Sequence, residues 1–175
     1  AVANGVPRKI ASKIFDDVQS FAGYAFNKSH AAAYAAVAYD TGWCKYYYPV
    51  EYMAALLNSY LGNLDKANIY VRAAEAMNIA VLPPDVNHSS ARFTTENASI
   101  RFALAAVKNV GQEAVNELVR EREEHGLFTS YGDFLRRCGS LSLNRKMIES
   151  LVRSSACDQF NISRSQMIAV IDPYL

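Results

Sequence analysis

The chain has 175 residues, 51% apolar and 20% charged, with a formal net charge of +1, which describes a globular protein able to bury one substantial core or two small ones. Disordered and collagen-like classes are excluded, and the most apolar stretch, 31–50, is broken by Asp40, Gly42 and Lys45, so no run of about 18 apolar residues could cross a bilayer. A charge so close to zero means that any nucleic-acid contact must come from local basic or backbone features rather than from a general cationic field.

From Pro7 to Phe21 the apolar residues Ile10, Ile14, Phe15, Val18 and Phe21 recur at spacings of three and four, which predicts a helix with one buried stripe, ended by Gly23. Ser29 is expected to cap a second helix running from near His30 to Tyr47, and Pro49 opens a third, VEYMAALLNSYL. A fourth helix is expected from Leu64 to Met77, followed by a short strand in IAVLPPDVN. The composition shifts near residue 62, dividing the chain into 1–62 and 63–175. Arg92 to Thr95 and Ser99 to Phe102 predict a small hairpin turning at Glu96-Asn97-Ala98. Then come a short helix near Ala103 to Lys108, a tight turn ending at Gly111, a longer helix to about His125, and three further helices in FTSYGDFLRRC, NRKMIESLVRSSA and SRSQMIAVIDPYL. The fold class is therefore mainly α with a small strand element. The start, AVANGVPRK, lacks methionine and any basic region ahead of an apolar block, which suggests a piece of a longer protein.

Cys44, Cys138 and Cys157 form an odd set with no CxxC pair, and His30, His88 and His125 stand far apart, so neither a disulfide framework nor a metal site is expected. Free thiols fit a reducing cytoplasm. There is no phosphate-binding glycine loop, no nucleophile elbow and no pair of aspartates on adjoining strands, so no catalytic residue is assigned.

Two elements could carry chemistry. In FNKSHAAAY, the unpaired N–H groups and positive end of a helix start are joined by Lys28, the Ser29 hydroxyl and His30, which together suit a phosphate, with Tyr34 one turn further on. The same residues also describe a well-capped helix whose lysine is solvated and whose tyrosine is core. The second element, LAAVKNVGQEAVNELVREREEHGLF, has the pattern of a helix-hairpin-helix: a hairpin of Val107, Lys108, Asn109, Val110 and Gly111, then a helix opening with the small Ala114. In such a unit the hairpin N–H groups and the start of the second helix point toward a phosphate, so binding follows the DNA backbone without reading sequence. Asn109 stands where a second glycine is common, and asparagine tolerates the left-handed conformation. A plain pair of packed helices is the bland alternative. A degenerate partner hairpin spans Ser140 to Lys146, with the basic pairs Arg136-Arg137 and Arg145-Lys146 close by, either solvated or in phosphate contact.

FAGYAFNKSHAAAYAAVAYDTGWCKYYYPVEYMAALL, together with AVLPPDVNHSSARFT, IRFALAAVKNVGQEAV, GLFTSYGDFLRR and LNRKMIESLVRSSACDQF, resembles the bacterial C-family replicative polymerases, from the end of the fingers into the helix-hairpin-helix domain. That resemblance implies a fingers part at 1–62 and a duplex-binding domain at 63–175. Asn27, Lys28, Ser29, His30 and Tyr34 would face the incoming deoxynucleoside triphosphate or the template. Val107, Lys108, Asn109, Val110 and Gly111, with Arg145 and Lys146, would meet the backbone of a primer-template duplex. No cofactor is implied for this segment; the family's magnesium is held by palm aspartates that lie N-terminal to it, and other replisome subunits dock mainly outside it. The segment alone would not polymerise. One departure stands out: Ser154, Ser155, Ala156, Cys157 and Asp158 occupy a place where the family often reads alanine-glycine-alanine-phenylalanine-aspartate. Two alternatives are a free-standing helix-hairpin-helix module of a repair protein and a structural domain for subunit contacts.

Overall fold

The computed structural model describes residues 1–25 and 28–172, and the chain divides into two units, Ala1–Tyr47 and Tyr48–Leu175. Eight α-helices and three short strands are found among the described residues, as the mainly helical reading anticipates.

In the first unit, Val2–Asn4 forms a 3₁₀ turn ahead of α1 (Arg8–Ala25) and α2 (Lys28–Tyr47). The periodic stripe of α1 does form a helix, yet it is not buried: Ile10, Ile14, Phe15, Val18 and Phe21 are all more than half exposed, Phe21 at 71%. Periodicity specifies which face is apolar, but burial needs a second layer, and no described residue of this unit is buried. Gly23 lies inside α1 rather than ending it. The alanine-rich α2 is sustained by propensity rather than by an apolar face.

The second unit begins with α3 (Pro49–Ser59), with Pro49 in its first turn, where the missing N–H is harmless. It turns through Gly62 into α4 (Leu64–Ala76), capped by the Asn63 side chain accepting from the Lys66 N–H at 3.1 Å. The expected division near residue 62 thus lies between α3 and α4, inside this unit. Helix α4 ends with Asn78 at φ +59°, its N–H bonded to the Glu75 carbonyl and that of Ile79 to the Ala74 carbonyl, the double closure of a Schellman motif. Strands β1 (Val81–Leu82), β2 (Thr94–Glu96) and β3 (Ser99–Arg101) form a sheet in the order β1-β3-β2, with β1 parallel and β2 antiparallel to β3. The hairpin turn is tighter than expected: only Asn97 and Ala98 lie between the strands, both at positive φ, and Glu96 pairs with Ser99 inside the ladder. Two positive φ angles are what a two-residue primed turn requires.

The expected helix before the hairpin is a single 3₁₀ turn, Leu104–Ala106, because Val107 is already extended at φ −72°, ψ 130°. After it follow α5 (Gln112–His125), α6 (Tyr131–Cys138), α7 (Arg145–Arg153) and α8 (Arg164–Ala169). Their buried residues, among them Leu118, Phe134, Leu135, Leu151 and Met167, form one apolar cluster; α3, α4 and the sheet form another around Met53, Leu57, Ala74, Phe93 and Ile100. Phe102 packs against both. Two asparagines fasten loops to this frame. Asn58 Nδ2 donates to the Phe93 carbonyl at 2.9 Å while its Oδ1 accepts from the Phe93 N–H at 2.8 Å, and Asn87 makes the same pair with Phe128. Helix α7 ends in a second Schellman motif, Ser155 N–H to Val152 O and Ala156 N–H to Leu151 O, with Ser155 at φ +72°.

Candidate nucleic-acid interface

The segment Val107 to Gly111 is a tight turn whose two valines are anchors. Val107 and Val110 are buried, and the Val110 N–H closes the turn on the Val107 carbonyl at 3.1 Å. Between them Lys108 and Asn109 are exposed, Asn109 at φ +67°. That is the third position of a type II turn, which demands positive φ, and asparagine meets it at modest cost. Burying both valines pushes the Lys108-Asn109 peptide outward.

Gly111 caps α5 with φ −78° and ψ 145°, a conformation open to any residue, and an added Cβ would meet only Met147 Cε at 3.7 Å. Neither backbone strain nor crowding therefore requires glycine here. Its effect is on access: with no side chain at 111, the unpaired N–H groups of the first turn of α5 stand open to solvent. An anion approaching them gains from the positive end of the helix dipole. Glu113 already stands in the first turn of α5, and Glu117, Glu121, Glu123 and Glu124 follow further along, so attraction for an anion at this end is confined to the helix-start N–H groups beside Gly111 and to Lys108.

Helix α7 lies against this turn. Asn109 Nδ2 donates to Ser150 Oγ at 3.3 Å, and Met147 sits under Gly111. Lys146, exposed and one turn before Ser150, therefore shares the face of α7 that meets the hairpin. An open depression of about 450 Å³ is lined by Leu61 and Gly62, by Ala105 to Gly111, and by Met147. The structure thus brings Val107, Lys108, Asn109, Val110 and Gly111 together with Lys146.

Other basic residues are already engaged. Arg145 Nε donates to Glu149 at 2.8 Å, and the same guanidinium pairs with Asp172. Arg136 pairs with Asp133 at 2.6 Å; Arg137 pairs with Glu121 at 2.9 Å and lies 4.3 Å from the centre of the Phe128 ring. Arg122 donates to the Val86 and Ser89 carbonyls, both at 2.9 Å, and burial pushes its pKa down.

The other predicted group lies in the first unit. Lys28, Ser29 and His30 form the first turn of α2 and are exposed; Tyr34, 65% exposed, tilts against the His30 ring with centroids 4.4 Å apart. Ser29 is the second residue of the helix, not the residue before it, and Asn27 lies outside the described residues. Among the described residues no group of three His, Cys, Asp or Glu side chains is placed to hold a metal. No described helix is long and apolar enough to cross a membrane.

The family model for the helix-hairpin-helix motif matches residues 78–167. The chain belongs to that family. Within this helix-hairpin-helix protein the matched region contains the whole turn, α5, α6 and α7. Along its full length the chain is similar to a part of three curated relatives, each named DNA polymerase III subunit alpha. It is 46% identical over 175 residues to that of Thermus aquaticus, 44% over 175 to that of Deinococcus radiodurans, and 42% over 173 to that of Neisseria meningitidis serogroup A. These alignments take in 98–100% of this helix-hairpin-helix chain but only 13–15% of each relative. What local sequence reading missed in this interface is the wall supplied by Leu61 and Gly62. The signal for it was a glycine-asparagine turn between two helices, and nothing local ties such a turn to a hairpin some 45 residues away.

Proposed function

We propose that this segment is the substrate-handling and duplex-holding portion of a DNA-directed DNA polymerase of the polymerase III alpha type. In that reading the hairpin of Val107, Lys108, Asn109, Val110 and Gly111 grips the phosphate backbone of the primer-template duplex without reading its sequence. One observation carries it most: Gly111 is glycine at a helix N-terminus where neither conformation nor packing needs one, and close approach of a backbone phosphate is a physical reason for it. Lys108 and Lys146 add cationic charge beside it, while Arg145, held by Glu149 and Asp172, would have to exchange those partners to reach DNA. Residues 1–62 are assigned to the C-terminal end of the fingers, with Asn27, Lys28, Ser29, His30 and Tyr34 toward the incoming deoxynucleoside triphosphate or the template. The exposed aromatic ring of Tyr34 beside His30 is compatible with a base or sugar contact. Catalytic carboxylates and magnesium are assigned to polypeptide outside this segment, as are contacts to other replisome subunits.

The test uses the full-length protein that carries the segment. Gly111→Ala should leave the melting temperature within about 1 °C, since its Cβ meets ordinary contact only, and weaken duplex binding. Lys28→Ala should raise the nucleotide KM or lower turnover while leaving duplex affinity alone. Unchanged duplex affinity in the first variant removes the hairpin contact, and unchanged KM and turnover in the second remove Lys28 from the nucleotide side.

A further inference from the structure

The corner between α3 and α4 carries a cation that the hairpin alone leaves without a task. Lys66 is exposed in the first turn of α4, with Nζ 5.2 Å from the centre of the Tyr60 ring. Tyr60 in turn stacks on Tyr70, ring centres 4.9 Å apart and planes 22° from parallel. A hydrogen bond from the Tyr60 side chain, with desolvation, raises the Tyr70 pKa above its ordinary value. Tyr60 and Tyr70 thus make a fixed shelf on which an ammonium group rests by cation–π attraction. The arginines of this unit that reach a carboxylate, such as Arg101 with Glu96 and Arg164 with Asp158, close onto it directly. Lys66 forms no ion pair among the described residues, and Asp65 is the only carboxylate between residues 60 and 66.

The position of the shelf decides its reading. Leu61 and Gly62, which directly follow Tyr60, form one wall of the open depression whose other wall is Val107 to Gly111. Lys108 stands on that second wall, and no carboxylate lines the depression. Lys108 is the lysine that lines this acid-free depression, and Lys66 stands on the corner whose Leu61 and Gly62 form its other wall, an arrangement of positive charge suited to an anionic polymer lying across it. Lysine on a four-carbon stem also has the reach to leave an aromatic face for a phosphate oxygen.

We propose that Lys66 is a further DNA-contacting residue, a phosphate-binding cation parked on Tyr60 in the free protein, and that the α3–α4 corner and the 107–111 hairpin grip one duplex from opposite sides of the depression. The proposal rests on the hairpin being a phosphate contact. It concerns the backbone alone, so the partner is duplex DNA of any sequence.

The experiment measures binding of a blunt, random-sequence duplex by the full-length protein across a range of salt concentrations, for wild type, Lys66→Ala, Lys66→Arg and Lys108→Ala. Each lost phosphate contact lowers the slope of log K against log salt by about 0.9, which amounts to roughly eightfold in affinity at 0.1 M salt. Lys66→Ala should show that loss, Lys66→Arg should restore the slope, and the melting temperature should hold because the side chain is exposed. If Lys108→Ala lowers the slope and Lys66→Ala does not, Lys66 is no contact while the hairpin reading stands. If neither variant changes it, the hairpin reading and this one fall together. A change in Lys66→Ala alone retains Lys66 and removes Lys108 from the interface.

Discussion

Replacing Ser155 by glycine should stabilise the second unit. Ser155 holds the left-handed position of the Schellman motif that ends α7, with φ +72°, and the two hydrogen bonds that define the motif are both formed, at 3.2 Å from Ser155 to Val152 and 3.0 Å from Ala156 to Leu151. The next residue, Ala156, is fully buried beside Leu151, so the chain cannot relax out of this turn without losing core contacts. A side chain in the left-handed region costs about 1–2 kcal/mol. Glycine removes that cost but returns about 0.4–1 kcal/mol by widening the unfolded ensemble. The Ser155 hydroxyl contacts only the neighbouring Ser154 carbonyl, a local interaction that the unfolded chain can replace with water. The net expectation for Ser155→Gly is therefore about 0.5–1 kcal/mol of added stability, or roughly 2–4 °C in Tm for a unit of this size. Thermal unfolding followed by circular dichroism or calorimetry measures it directly. Ser155→Ala keeps the backbone cost and should not melt above wild type. A glycine variant that melts at or below wild type refutes the reasoning, as does an alanine variant that gains as much as glycine.

Other outcomes follow from the same coordinates. Asn58→Ala leaves the Phe93 N–H and carbonyl without their part-buried partners and should lower stability by about 2 kcal/mol; a change below about 0.5 kcal/mol would show that water substitutes for the amide. Among the described residues four carboxylates have pKa values below the ordinary range: Glu96 through its hydrogen bonds to Arg101, Glu117 through the Ser142 N–H and hydroxyl, Asp158 through Arg164, and Asp133, against its desolvation, through the Thr129 N–H and Arg136. A depressed carboxylate contributes stability that is complete above the unfolded value, about 4, and is lost as pH falls through the lower folded value. The second unit should therefore lose stability below about pH 4, and Glu117→Gln should flatten that acid limb; an unchanged limb in this variant would exclude the Ser142 link as a contributor.

Features that depend on neighbours in sequence were legible before any coordinates. The turn at Asn109 and the helix after Gly111 each follow from conformational preferences of one or two residues, and the strand hairpin was legible to within one residue, with Glu96 in the ladder rather than in the turn. Asn78 and Asn161 take left-handed conformations for the same reason. Features set by partners distant along the chain were not legible. The stripe of α1 announces a helix, but whether its apolar face is covered depends on material that no local period records. Arg145 reads from local sequence as a cation either solvated or in phosphate contact, yet it is closed onto Asp172, 27 residues on in sequence. The asparagine clamps Asn58 and Asn87 span 35 and 41 residues and leave no signature in composition or spacing. A single lysine in a helix's first turn, such as Lys66, is ordinary until the fold sets it over Tyr60, at the corner whose Leu61 and Gly62 share a depression with the hairpin.

The short passage from Phe102 to Val107 belongs to neither apolar cluster alone. Phe102 touches both, Ala103 and Ala106 are packed into the α3–α4 side, and Leu104 and Val107 into the α5–α8 side. A 3₁₀ turn alternates its side chains over three residues, so one turn of backbone wedges into two interiors at once. Such a shared seam makes it difficult for one half to melt while the other stays folded, and a single calorimetric transition is the natural behaviour of the unit. It also means that the hairpin, which begins where the seam ends, is held from both interiors, and a load applied to it would be shared by both halves of the unit.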